Sequence, residues 1–296
     1  MKSTKIFIVA IFCSAAVGLT VCLSPDRQDA EASVKPDQIT WEGQKDFRWP
    51  EGKRAAISLS FDDGHPTQID CAIPILDKYG VKGTFYVLKS RVEKRLAGWQ
   101  KAVANGHEIG NHSLNHPCSG NYHSPGPRRK MALENYTLEM MQHDLDGARA
   151  AIERLLGVRP TTFAYPCGQK FVGRGKDIKS YVPLVAERFI VGRGWLDERP
   201  NDPAFCDLAQ VMGMRCDSLD FEEVKNLVDW VAAEGRWLVL VSHRVGEPAP
   251  GLTTDASILE KLCEYVQDPA NGLWIDTIEA VGKYILEQRA KNLGQN

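Results

Sequence analysis

The chain has 296 residues, of which 43% are apolar and 25% charged, so it can bury a sizeable core and does not have the composition of a disordered protein. Its net charge of −2 leaves no electrostatic footprint for nucleic acid, and no block of like charges marks an interaction tail.

Near the N-terminus, Lys2 and Lys5 precede an uncharged, largely apolar run from Ile6 to Leu23, and Ala30-Glu31-Ala32 supplies the small residues of a cleavage site. Residues 1–32 therefore read as an export signal, which places the mature chain in the periplasm, on the cell surface or outside the cell. An uncleaved anchor is the alternative, because the run reaches the lower limit of a bilayer span. A lipoprotein box at Leu19-Thr20-Val21-Cys22 ranks third, since Val21 is bulky where a small residue is expected.

Residues 33–52, with Trp41 and Trp49, read as an irregular lead-in lying over the domain. From Lys53 onward strand and helix signals alternate, the pattern of parallel strands with helices outside. An apolar strand over 57–61 ends in Asp62, Asp63, Gly64 and His65. A helix is expected over 70–79, a strand over 83–88, a helix over 92–104, and a short strand over 107–110 that enters a polar turn holding His112 and His116. The longest helical pattern spans 134–156, with Leu138, Met141, Leu145, Ala148 and Ile152 at steps of three and four. Strands over 161–165, 188–192 and 237–242 and helices over 182–187, 221–233, 258–266 and 277–289 follow. This order fits one α/β domain over 53–296, a (β/α) barrel less regular than the eight-fold form.

Adjacent residues of an extended strand point to opposite sides, so Asp62 and Asp63 can divide their work: one carboxylate for a metal, the other free as a base. Histidines four apart share one face of a helical turn, and two imidazoles with one carboxylate leave zinc an open position. Taken alone, that spacing equally describes a solvated helix face, and Asp-Asp-Gly a turn or helix cap.

In combination the two clusters say more. Ser60-Phe61-Asp62-Asp63-Gly64 and His112-Ser113-Leu114-Asn115-His116 resemble the first two motifs of the polysaccharide deacetylase family, the NodB-homology or carbohydrate esterase family 4 domain. Phe163-Ala164-Tyr165-Pro166-Cys167-Gly168 is similar to the third motif, Trp195 lies near the fourth, and Leu240-Val241-Ser242-His243 is similar to the fifth. The resemblance implies a distorted (β/α) barrel of the NodB type and one divalent ion, zinc by first expectation, held by Asp63, His112 and His116. It implies Asp62 as general base, the amide of Cys167 as oxyanion donor, and His243 as the acid that protonates a departing amine. Trp195, Tyr165 and Val241 are the residues it places against the sugar.

The implied activity is removal of N-acetyl groups from a polysaccharide such as peptidoglycan, a chitin-like polymer or an exopolysaccharide. An O-acetyl esterase or a cyclic-imide or amide hydrolase is the alternative enzyme. A non-catalytic carbohydrate-binding protein is the alternative of another class, against which intact Asp62 and His243 speak. A cysteine nucleophile served by His243 has no second signature to support it.

The chain departs from the family pattern in the third motif. Ala164 stands where the family has an arginine that grips the catalytic aspartate, so another cation, Arg193 or Arg244, is needed; Cys167 stands where a larger residue is usual. The aspartate that the family often pairs with its catalytic histidine is not assignable from the sequence, with Asp197 and Asp217 as candidates. Stretches 117–130, with Arg128, Arg129 and Lys130, and 195–216 are expected as walls of the site, either able to meet an anionic polymer. Of the cysteines past the leader, Cys206 with Cys216 closes the easiest loop, while Cys118 and Cys167 are candidates to pair or to approach the metal. His65, His107, His123 and His143 are read as structural.

Overall fold

In the computed structural model of the chain, residues 47–122 and 126–293 are described; the export-signal reading, most of the lead-in and His123 lie outside them. Strand β1 (Ala55–Phe61) is buried along its whole length. Its alternation organises the rest. Ile57, Leu59 and Phe61 face the outer helices, whereas Ala56, Ser58 and Ser60 lie on the inner face, which has room only for small side chains beside Trp237 and Tyr86.

In chain order the further elements are α1 (Ile73–Lys78), β2 (Thr84–Val87), α2 (Lys89–Lys94), α3 (Leu96–Ala104), β3 (Glu108–Asn111), α4 (Leu138–Leu156), β4 (Thr162–Ala164), β5 (Phe171–Val172), β6 (Lys179–Ser180) and α5 (Val182–Ala186). Then come β7 (Val191–Arg193), β8 (Met214–Arg215), α6 (Phe221–Glu234), β9 (Trp237–Ser242), β10 (Arg244–Gly246), β11 (Thr253–Asp255), α7 (Ala256–Gln267), β12 (Leu273–Ile275) and α8 (Ile278–Leu293). The main sheet runs β7-β4-β3-β2-β1-β9-β8, with β12 added beside β1, and every pairing in it is parallel. Val211 donates to Gly192 O at 2.8 Å and accepts from Gly194 N at 2.7 Å, just before β8 pairs with β9. That stretch draws the two edges of the curled sheet together, the irregular (β/α) barrel that the element order implies.

Helices cover the outer face and the curled sheet encloses the inner one, so β1 and β9 are buried on both and read as continuous apolar runs. The helix expected over 92–104 is broken at Arg95 (φ −135°, ψ 39°), so it becomes α2 and α3. The expected 134–156 helix starts at Leu138, where the Thr137 side chain caps Met140 N, and stops at left-handed Gly157. Strands β5, β6, β8 and β10 to β12 carry no readable pattern because each has only two or three residues. Helix α8 packs under the N-terminal ends of the strands: Thr84 and Glu108, the first residues of β2 and β3, accept from Ile278 N and Glu279 N at 2.9 Å each. Burial pushes the Glu108 carboxyl up to about 7 despite hydrogen bonds from Thr162, Glu279 and Thr84. Trp49 is buried, donating to Gly235 O at 2.9 Å and stacking on Tyr284. Among the described residues no helix is long and apolar enough to cross a membrane.

One glycine matters to the site. A Cβ on Gly110 would come within 2.3 Å of the Tyr86 ring, which in turn lies under the Arg193 guanidinium at 4.9 Å. Gly110→Ala is therefore expected to cost about 1–3 kcal/mol by overpacking. Thermal unfolding should show that loss, and an unchanged midpoint would mean that Tyr86 can move freely.

Candidate active site

Parallel strands put all their C-terminal ends on one rim. β1 brings Asp62 and Asp63 there, β3 brings His112, β4 leads to Cys167, β7 ends in Arg193, β8 leads to Asp217 and β9 to His243. The chain turns sharply after Asp62 because Asp63 (φ 72°) and Gly64 (φ 68°) are both left-handed. Adjacent carboxylates thereby reach different partners.

Asp63 Oδ1 lies 3.3 Å from His116 Nε2 and 3.5 Å from His112 Nε2, and the three donor groups sit within 4.8 Å of one another. Asp63 Oδ2 is 3.3 Å from His65 Nε2. The histidines do not ride one helical turn, contrary to their spacing. They follow β3 in a loop with left-handed Ser113 (φ 64°) and His116 (φ 50°), folded by its own polar side chains. Asn111 Oδ1 accepts from Ser113 N at 2.7 Å, and Ser113 Oγ from His116 N at 2.9 Å. Helix α4 anchors the loop, with Asn111 Nδ2 donating to Leu145 O at 2.9 Å and Asn115 Nδ2 to Asp144 Oδ1 at 2.5 Å.

His112 Nδ1 is 3.0 Å from Ala164 O. A carbonyl only accepts, so that nitrogen carries the hydrogen and Nε2 turns its lone pair toward Asp63 and His116. Burial opposes the charge of Asp63, yet the imidazoles of His112, His65 and His116 around it favour the carboxylate and hold it far below the usual range. Burial, with the His112 imidazole alongside, pushes His116 down to about 4, which keeps it neutral and able to ligate at neutral pH.

Asp62 is 3% exposed and its Oδ1 accepts from Nη2 of Arg193, a fully buried side chain whose Nη1 donates to Gly194 O at 2.8 Å. Arg193 thus supplies the cation missing from the third motif, while Arg244 is exposed on β10. Gln68, which nothing in the sequence singles out, is buried and donates to the carbonyls of both Asp62 (2.6 Å) and His243 (2.8 Å), tying the ends of β1 and β9.

Across the rim, His243 Nδ1 lies 2.7 Å from Asp217 Oδ2, and Asp217 Oδ1 accepts from His243 N at 3.1 Å and from the Thr254 hydroxyl at 3.1 Å. Burial lowers the His243 pKa, but the Asp217 hydrogen bond and the charges of Asp62, Asp217 and Asp63 outweigh it and hold the imidazole above its ordinary value. Half-buried Trp195 stands edge-on to His243 with ring centroids 5.1 Å apart. Cys167 (φ 54°) occupies the turn Pro166–Gly168 and is disulfide-bonded to Cys118. Beside Asp63 and His116 opens a cavity of about 390 Å³, lined also by Leu88, Ser90, Arg91 and Met131. A larger hollow of about 460 Å³ near Asn201 and Trp230 contains none of the clustered carboxylates and imidazoles.

Residues 49–180 match the family model described as polysaccharide deacetylase. Over that stretch the chain is similar to the polysaccharide deacetylase family. A gellan lyase of a Bacillus species is 26% identical over 259 residues, 80% of this chain but 10% of that protein. Peptidoglycan-N-acetylmuramic acid deacetylase PdaC of Bacillus subtilis is 30% identical over 113 residues, 38% of this chain and 21% of PdaC. The chain thus spans only a small part of the length of these curated relatives. A solved candidate polysaccharide deacetylase from Mycobacterium smegmatis superposes with a TM-score of 0.59 at 16% identity, over 82% of this chain and 94% of that one, and shares the fold.

The expected sugar contacts and the expected second disulfide are corrected. Tyr165 is fully buried against Phe163 and Tyr181 with its hydroxyl donating to Ala209 O at 2.8 Å, and Val241 is fully buried beside Gly213, so neither side chain has surface to offer a sugar. Cys206 and Cys216 are both free thiols: β8 carries Cys216 into the core, while Cys206 faces Arg289. Of the two aspartates considered for His243, Asp217 makes the contact; Asp197 instead accepts from Gly213 N at 2.9 Å.

Proposed function

We propose that the chain is a metal-dependent hydrolase that removes N-acetyl groups from an N-acetylated polysaccharide of the peptidoglycan, chitin-like or exopolysaccharide kind. One observation carries the reading: of two adjacent carboxylates at the end of β1, Asp63 faces two imidazole nitrogens and Asp62 faces a buried arginine. Two nitrogens and one carboxylate oxygen are the donor set of an open catalytic zinc site, and the His112 tautomer set by Ala164 O suits it. Asp63, His112 and His116 would hold the divalent ion, zinc by first expectation, which when bound supplies Lewis-acid polarisation of an acyl oxygen and a lowered pKa for water.

The remaining work falls to this chain's own groups. Asp62, oriented through Oδ1 by Arg193, takes the proton of the attacking water as general base. The Cys167 amide donates to the oxygen on which charge develops, a contribution of about 2.7–4 kcal/mol for a typical donor of this kind. His243, its Nδ1 held by Asp217, presents Nε2 to protonate the leaving amine, and Trp195 beside it walls the sugar site. The names of relatives support the substrate class, since PdaC and the Bacillus cereus peptidoglycan-N-acetylglucosamine deacetylase are deacetylases of peptidoglycan sugars. The sequence reading of an export signal over 1–32 supports a substrate outside the cytoplasm.

Acetate release from N-acetylglucosamine oligomers, peptidoglycan, acetylated xylan and a cyclic imide tests the reading, each with and without a chelator. Release from an N-acetylated polymer, abolished by the chelator and restored by zinc, is the expected result. Turnover confined to acetylated xylan or the imide, or undiminished after the ion is stripped, overturns it.

A further inference from the structure

Among the described cysteines, Cys71, Cys206, Cys216 and Cys263 are thiols, and Cys118 and Cys167 alone are joined. Where this bond lies is informative. Cys118 follows His116 by two residues, and Cys167, separated from Cys118 by 49 positions, sits in the turn whose amide is the oxyanion donor of the proposed reaction. Cys118 Sγ is 3.7 Å from His116 Nδ1. His112 has a carbonyl oxygen at the corresponding nitrogen, whereas His116 has a disulfide sulfur, a weak acceptor, so its ring is oriented chiefly by where the loop is held.

Backbone conformation points the same way. His116 (φ 50°) and Cys167 (φ 54°) are both left-handed, a region uncommon for residues other than glycine, so both flank the bond in tightly turned backbone. A hydrogen bond from Ser119 N to Gln169 Oε1 at 2.7 Å crosses between the same two loops. On the far side Gly168 is packed so closely that a Cβ there would lie 2.8 Å from Trp195 O. The disulfide therefore stands at the junction of three parts of the site: the histidine loop, the donor turn and the tryptophan wall.

We infer that the Cys118–Cys167 disulfide is a positioning element of the site, holding the His116 ring against Asp63 and the Cys167 amide toward the acyl oxygen, so that the oxidised protein is the competent form. This rests on the reading of Asp63, His112 and His116 as ligands. Reduction by a water-soluble phosphine breaks the S–S bond, places a hydrogen from water on each sulfur and transfers the oxygen of that water to phosphorus. The junction then keeps the Ser119 to Gln169 hydrogen bond but loses its covalent tie.

The test compares the folded, oxidised full chain with the same protein after phosphine treatment, and with a Cys118→Ser/Cys167→Ser variant. Zinc affinity is read by competition with a chromogenic chelator, and kcat and KM from acetate release. Reduction is expected to expose two further thiols, weaken zinc binding by about 10- to 100-fold and lower kcat by about 100-fold with little change in KM. Reoxidation should restore all three, and the double variant should match the reduced protein and ignore the phosphine. A bond that serves only the fold would lower the melting temperature and leave kcat and zinc affinity at 25 °C unchanged, which overturns the inference. Reducing the protein after it has folded keeps the test decisive if the double variant does not fold. Should no substrate be turned over by the oxidised chain, the proposed activity fails, while the zinc affinities still decide the role of the disulfide.

Discussion

Asp62→Asn is expected to lower kcat by about 10²- to 10⁴-fold, the range for loss of a general base, with zinc binding retained because Asp63, His112 and His116 are untouched. The amide keeps an oxygen toward Arg193 Nη2 but can no longer take a proton, and it leaves a buried guanidinium without its counter-charge. Breaking a buried ion pair on one side costs about 3–5 kcal/mol, whereas replacing both partners with apolar groups of similar volume is often close to neutral. Adding Arg193→Met to an Asp62→Leu background should therefore return much of the stability lost in Asp62→Leu alone while activity stays absent. Thermal unfolding, zinc titration and acetate release on the same preparations separate these effects. Turnover of the zinc-loaded Asp62→Asn protein near the parent's would remove Asp62 from the chemistry.

The second large effect is expected at Asp217, whose carboxylate holds His243 Nδ1 and accepts from His243 N and the Thr254 hydroxyl. An acid that protonates a leaving group must carry its proton, so turnover holds below the His243 pKa and is lost as pH rises through it. Burial works to lower that pKa, and the Asp217 hydrogen bond leads the groups that raise it above the ordinary histidine value. Asp217→Asn removes the charge and turns an amide that can donate toward Nδ1, so the alkaline limb of kcat should move to lower pH. The maximum rate should fall by about 10²- to 10⁴-fold as the ring loses its tautomer and aim. A pH profile of kcat over the neutral and alkaline range checks both the direction and the size. An unmoved alkaline limb would mean that Asp217 orients His243 without tuning it, or that another group is the acid.

Much of this protein is legible from local pattern. The apolar runs of β1 and β9, the three-and-four spacing of α4 and the alternation of strands and helices determine a parallel sheet wrapped by helices, because burial on both faces demands such runs. Asp62-Asp63-Gly64 and His112 with His116 stand out as candidates because their chemistry is concentrated within a few residues. What only the tertiary structure decided lies between distant segments. Arg193 meets Asp62 from 131 residues away, Gln68 reaches His243 across 175, and Cys118 joins Cys167 across 49. Asp217 is chosen over Asp197 by the way β8 pairs with β9. Tyr165 shows the same limit in reverse, since its motif suggests a sugar contact while packing against Phe163 and Tyr181 turns it into the core. A side chain's neighbours depend on which strand ends share a rim, and strands of two or three residues, such as β8 and β12, leave no periodic trace from which that arrangement can be read.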